Sequence, residues 1–251
     1  MSIWGKVIGG VAGFAMGGPL GAIMGAVAGH AVDKIKAAEA AASPDAFASH
    51  GPDARQVAFT TAIIVLSAKI AKADGQVTRD EIVAFKTLFH IPPEESSNVK
   101  KIWDEATRDS QGYEPYAEQI AMIFAREASV LEELLGALFH IAKADGVVHP
   151  NELEIIYRTA MIFGFDAHGF ERLKHIYLGA EKDRTDPYEV LDIDPSASDD
   201  EVKKKYRVLI RENHPDVLMA KGVPQEFIDL ANEKMAAINV AYDQIEKQRG
   251  L

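Results

Sequence analysis

Cysteine is absent from this chain of 251 residues. That excludes disulfides and thiolate metal sites, and it suits a reducing compartment. Alternating strand patterns are also missing, so a sheet-based fold is excluded and helical spacing has to carry the architecture. Positive charge is scarce: the formal net charge is −11, which argues against a nucleic-acid binder. His90, His140, His149, His168 and His175 are scattered. They form no His-x-x-x-His pair beside a carboxylate, so they are expected to be solvated or core residues.

The remaining absence is local. No charged residue occurs from Val7 to Gly29, and Gly5, Gly9, Gly13, Gly17, Gly21, Gly25 and Gly29 recur every four residues. In helical form that stretch reaches about 35 Å, enough for a hydrocarbon layer of about 30 Å. In water each interior glycine costs about 1 kcal/mol relative to alanine. In lipid the backbone has no other hydrogen-bond partner, so helix is enforced. Gly9, Gly13, Gly17, Gly21 and Gly25 would line a groove in which a second helix packs closely, which opens the way to a homodimer. A cleaved signal peptide and a soluble glycine-rich tail are the competing readings. Lys6 alone makes a poor signal-peptide n-region, and no clear small-x-small cleavage site follows. Residues 1–32 are therefore expected to be a membrane anchor. With Lys6 before it and Lys34 and Lys36 after it, the remainder is expected on the cytoplasmic side. Residues 33–53, rich in Ala and Ser from Ala37 to Pro52, read as a linker.

Residues 54–180 contain an internal repeat. Ile70-Ala71-Lys72-Ala73-Asp74-Gly75-Gln76-Val77 recurs as Ile141-Ala142-Lys143-Ala144-Asp145-Gly146-Val147-Val148, and Glu81 and Glu152 trail their aspartates by equal spacing. Apolar helical runs flank both copies, giving an all-α domain of about seven helices. Asp-Gly suits a helix-ending turn, Thr78-x-x-Glu81 reads as a capping box, and Pro150 suits a first helical position. As calcium loops the copies fail, because Ile70 and Lys72, and Ile141 and Lys143, stand where carboxylates are needed. The repeat resembles the TerB, tellurite-resistance-like, domain. The resemblance implies that Asp74, Glu81, Asp145 and Glu152 pool into a divalent-cation site. Structural turns explain the same residues without one, and both readings stand at this point.

The C-terminal region, residues 185–251, carries the most specific signal. Val202, Tyr206, Leu209 and Ile210 fall on one helical face, and Lys203, Arg207 and Arg211 on another with Lys204 beside them. Ser198-x-x-Glu201 caps this helix, and Pro215 forces it to stop near His214. A loop from Val217 to Val223 is expected next. After Pro224, placed as a first helical residue, comes a helix with Phe227, Ala231, Met235, Ile238, Tyr242 and Ile245 on its apolar face. Met235, Ile238 and Tyr242 are expected to pack on Tyr206, Leu209 and Ile210. His214 and Asp216 would sit on the exposed turn, with no nucleophile or pocket beside them, so no enzymatic role is expected.

This stretch resembles a J domain, the DnaJ module, from about Thr185 to Lys247. The motifs are Asp186-Pro187-Tyr188, Lys204-Lys205-Tyr206-Arg207, His214-Pro215-Asp216 and Ile238-Asn239-x-Ala241-Tyr242. The resemblance implies that His214, Pro215, Asp216, Lys203, Lys204, Arg207 and Arg211 dock on a DnaK-type 70-kDa chaperone and speed its ATP hydrolysis. Val208 departs from the family's usual basic residue. The order of anchor, TerB-like domain and C-terminal J domain is similar to that of a bacterial family of membrane-anchored DnaJ-like co-chaperones. Trp4-Gly5-Lys6 and Asp33-Lys34 match the ends of that family's anchor. Expected, then, is an all-α co-chaperone of the bacterial inner membrane with no required cofactor. Its J domain would recruit the chaperone, and its TerB-like region would select clients. The alternative is a metal-responsive stress adaptor with the TerB-like domain as sensor and the J domain as docking arm.

Overall fold

The computed structural model describes residues 52–73, 79–108, 112–144, 146, 148–179 and 186–251. The expected anchor with its glycines, and all but the last residues of the linker, lie outside them. Every regular element among the described residues is helical.

In the central part these are α1 (Pro52–Ala73), α2 (Arg79–Leu88), α3 (Ser96–Arg108), α4 (Glu114–Ile123), α5 (Ala128–Ala142), α6 (Pro150–Ile162) and α7 (Ala167–Leu178). Helix α1 is apolar on nearly all faces, so it has to be surrounded. Val57, Phe59, Ile63, Ile64, Val65 and Leu66 are all buried, and α3, α4, α5 and α6 pack around it. Helix α5 is the second buried axis. Gly136 lets α7 approach it: a Cβ there would stand 2.4 Å from the Tyr177 ring.

In the C-terminal part are α8 (Pro187–Leu191), α9 (Asp199–Glu212), α10 (Pro215–Lys221), a short 3-10 turn at Gln225–Phe227, and α11 (Ile228–Arg249). A small core joins Val190 and Leu191 of α8, Val202 and Leu209 of α9, and Ile238, Ala241 and Ile245 of α11. Tyr206 stacks on Tyr242 with ring centroids 4.0 Å apart, and its hydroxyl donates to Asn239 Oδ1 at 2.9 Å. Arg249 closes the open end by donating to the Tyr188 hydroxyl (2.8 Å) and to the Pro195 carbonyl (2.7 Å).

Three features differ from the sequence expectations. Residues 217–223 are largely helical rather than a loop. Pro215 starts α10, and Gly222 ends it at φ 106°, a left-handed conformation open to glycine. Pro224 precedes the 3-10 turn instead of opening the long helix. Met235 is absent from the small core, because the first turns of α11 face the other way.

Those first turns belong to the central bundle. Leu218, Val223, Phe227, Leu230 and Ala231 pack in its core with Phe59 and Phe89. Lys234 is 0 % exposed and donates to Glu132 and, at 3.3 Å, to Glu133 of α5. Arg172 of α7 donates to Glu132 as well. Helix α11 thus contributes its first half to one core and its second half to the other.

Candidate functional site

His214 is the joint between the two cores. Before it, α9 packs in the small C-terminal core; after it, α10 buries Leu218 in the central bundle. Asn213, 2 % exposed, ends α9, and its Nδ2 donates to the Leu209 carbonyl at 2.8 Å. His214 is extended (φ −64°, ψ 134°) and serves as N-cap of α10: its Nδ1 accepts from the Asp216 N–H at 3.2 Å. With Nδ1 used as the cap's acceptor, the ring's other nitrogen, Nε2, is left to face a partner. Asp216 Oδ2 lies 3.8 Å from the same Nδ1. That approach is not an ion pair while the cap is made. Pro215 fixes φ at the first helical position, and the Asp216 side chain is 81 % exposed. The tripeptide therefore offers the ring Nε2 and a carboxylate on a loop that is stiff on both sides.

Helix α9 supplies the charge beside it. Lys204, Arg207 and Arg211 are exposed and Lys203 is half-buried. The Arg207 Nε donates to the Lys203 carbonyl at 3.1 Å, which lays its guanidinium along the helix. Lys205 points elsewhere, pairing with Asp192 Oδ2 at 2.7 Å. The start of α9 is held by a capping box in which the Ser198 N–H donates to Glu201 Oε2 at 2.8 Å. That bonding, from the Ser198 hydroxyl first and its N–H second, holds the Glu201 carboxyl below its ordinary value. Asp199, Asp200 and Glu201 in the first turn and Arg211 in the last suit the helix macrodipole.

Of the carboxylates expected to pool, Asp74 and Asp145 lie outside the described residues. Glu81 is on α2 and Glu152 on α6. Glu152 is 2 % exposed, and its Oε2 accepts from the His149 N–H at 3.0 Å at the start of α6. Among the described residues no group of three or more His, Asp or Glu could hold a metal ion.

Three family models match the chain in sequence order. The "Co-chaperone DjlA transmembrane domain" covers residues 1–54, "Tellurite resistance protein TerB" residues 60–175, and the "DnaJ domain" residues 186–249. Curated relatives match end to end. The Co-chaperone protein DjlA of Photobacterium profundum is 31 % identical, over 99 % of both chains. That of Vibrio cholerae is 32 % identical over 100 % of both. This chain belongs to the DjlA co-chaperone family. The DjlA of Shewanella oneidensis is likewise 32 % identical over the full length of both chains. No solved structure matches. Membership makes the chain a J-domain co-chaperone and associates it with a membrane through its first 54 residues. Among the described residues no helix is long and apolar enough to cross a membrane, and the DjlA anchor match falls almost wholly outside them.

Reading the sequence missed the buried charges that tie α11 and α7 to α5: Glu132, Glu133, Arg172 and Lys234. One signal was present. Glu132 and Glu133 interrupt an otherwise apolar run from Val130 to Phe139, and Lys234 falls three residues after Ala231 and four before Ile238. Charges at core positions on two helices call for each other.

Proposed function

We propose that this chain stimulates the ATPase of a DnaK-type 70-kDa heat shock chaperone and recruits it to the bacterial inner membrane. The observation that carries this is the exposed His214-Pro215-Asp216 turn at the end of the basic face of α9. An acidic chaperone surface would be steered to Lys203, Lys204, Arg207 and Arg211, and the pre-formed turn lowers the ordering cost of docking. A single span through residues 1–32, with Lys34 and Lys36 behind it, leaves the TerB-like and J regions in the cytoplasm, where ATP is available. The ladder Gly9, Gly13, Gly17, Gly21 and Gly25 is the surface on which a second copy would pair. Client choice falls to the TerB-like region.

The test is a steady-state ATPase assay with the cognate chaperone. His214→Gln is expected to lose nearly all stimulation while its far-UV circular dichroism and thermal midpoint stay close to wild type. Stimulation equal to wild type would falsify the reading.

The metal-responsive adaptor draws no support from the family matches. The Glu152 carboxylate already serves the backbone at the α6 start, which favours turns and caps over a cation site. Calorimetry of the full chain with Ca²⁺, Mg²⁺ and Zn²⁺ is expected to give no binding heat. A saturable heat that disappears in Asp74→Asn with Asp145→Asn would establish the adaptor instead.

A further inference from the structure

The helix that His214 begins is gripped at its other end. Lys221, in the last turn of α10, donates to Glu127 Oε2 at 3.1 Å and to Ser129 Oγ at 3.0 Å. Glu127 is the N-cap residue of α5, and its Oε1 lies 3.5 Å from Arg55 Nη1. The same Arg55 nitrogen donates to the Lys221 carbonyl at 3.5 Å. Gly222 is pressed so closely on the first turns of α1 that a Cβ there would stand 2.4 Å from Arg55 Cβ. Leu218, four residues after His214, is 0 % exposed within the central bundle. The segment after the tripeptide is therefore fixed to the TerB-like part at three points, none of which lies on the basic face of α9.

This grip has a consequence for the tripeptide because α10 is short and Pro215 is its first residue. A rotation of the C-terminal end of α10 is passed directly to the His214 ring and the Asp216 carboxylate. We propose that Glu127, with Arg55 and Ser129, positions the tripeptide: the TerB-like domain clamps α10 and so sets the orientation in which His214 and Asp216 meet the chaperone. This rests on the co-chaperone reading above. The TerB-like domain is then part of the device that makes the J domain competent, in addition to any part in client choice.

The clamp acts on the fraction of molecules in the competent orientation. An apparent affinity falls in proportion to that fraction, whereas the rate in the docked complex does not. The test uses the full-length, detergent-solubilised chain with a DnaK-type chaperone, titrating co-chaperone into the ATPase assay. Glu127→Ala and Lys221→Ala are each expected to raise the concentration for half-maximal stimulation by about three- to tenfold with the plateau unchanged. The double variant is expected to be no worse than the more affected single, because both remove one contact. Lys221→Arg is expected to restore most of the loss.

Lys221→Ala keeps the test decisive if Glu127→Ala folds poorly. The Lys221 side chain is 26 % exposed, and Glu127 retains Arg55 when it is gone. Half-maximal concentrations equal to wild type in both singles would overturn the clamp. So would a falling plateau that tracks a falling thermal midpoint, since that is loss of fold. His214→Gln is run in parallel. If it is inactive while the clamp variants match wild type, only the clamp fails; if it stimulates like wild type, the co-chaperone reading itself fails.

Discussion

Lys234→Ala lowers the unfolding free energy by about 3–5 kcal/mol in urea titrations followed by far-UV circular dichroism. The reason is what the substitution leaves behind. Lys234 is 0 % exposed, and its ammonium serves Glu132 and Glu133, which are themselves buried on α5. Arg172 remains as a partner for Glu132. Glu133 Oε1 loses its ammonium partner, and its Oε2 has no hydrogen-bond partner to begin with. Lys234→Met fills the channel of the lysine stem but strands the same carboxylate, so it should recover little. Adding Glu133→Leu to Lys234→Met removes both charges and is expected to return most of the loss, since an apolar replacement of a buried pair is often neutral. A cost below about 1 kcal/mol for Lys234→Ala, the range of an exposed pair, would show that the ammonium reaches water.

The same network predicts how that stability moves with pH. Burial raises the Glu133 carboxyl, and the Lys234 ammonium offsets this only in part. Burial also opposes ionisation of Glu132, but the Lys234 and Arg172 charges together outweigh it and hold that carboxyl below its ordinary value. An ionised Glu133 therefore costs stability at neutral pH, and the cost is relieved as pH falls through its raised folded-state value. Glu132 has the opposite sign: its contribution is complete above the ordinary glutamate value near 4.3 and is lost as pH falls through its depressed one. Stability should rise modestly on mild acidification and then fall. In Lys234→Ala the pull that lowers Glu132 is weaker, so its acid loss is smaller and is complete at higher pH.

How much of this was readable in advance depended on sequence distance. The capping box of Ser198 and Glu201, the apolar face of α9 and the stop at Pro215 are local, and spacing alone located them. Helix α10 was read as a loop because Pro215 and Gly222 both look like loop punctuation. Pro at a first helical position and Gly just past the last one are equally the bounds of a short helix. The apolar stripe of α11 was seen, but one stripe cannot say that it serves two cores in succession. Met235 was therefore assigned to the small core, and Lys234 was not singled out. The link from Lys234 to Glu132 spans 102 positions, beyond any helical periodicity. The basic face was legible for the converse reason: Lys203, Arg207 and Arg211, with Lys204 beside them, share one side of α9 by spacing alone, while the groups that grip α10 come from α1 and α5.

Phe227→Ala costs about 3–5 kcal/mol and unfolds the central bundle and the C-terminal helices together. Phe227 is 1 % exposed in the turn between α10 and α11. Its ring meets Phe59 edge-on at 4.7 Å and Phe89 at 4.7 Å, so two of its aromatic neighbours belong to α1 and the end of α2. Such pairs add about 0.5–1.5 kcal/mol beyond area burial. The void would sit between α1, the α2 end and the α10–α11 turn, where three segments have to collapse at once to fill it. Trp103 reports on the central side, since it packs on Phe85 at 5.3 Å and Phe85 on Phe89 at 4.5 Å. In a Trp4→Phe background its fluorescence should therefore lose its transition at lower urea in Phe227→Ala, in step with the helical signal. Phe227→Leu, which keeps most of the volume, should fall between the two. A Trp103 transition unmoved from wild type would mean that the central bundle is indifferent to the J-domain turn, and the shared core, with the clamp built upon it, would have to be abandoned.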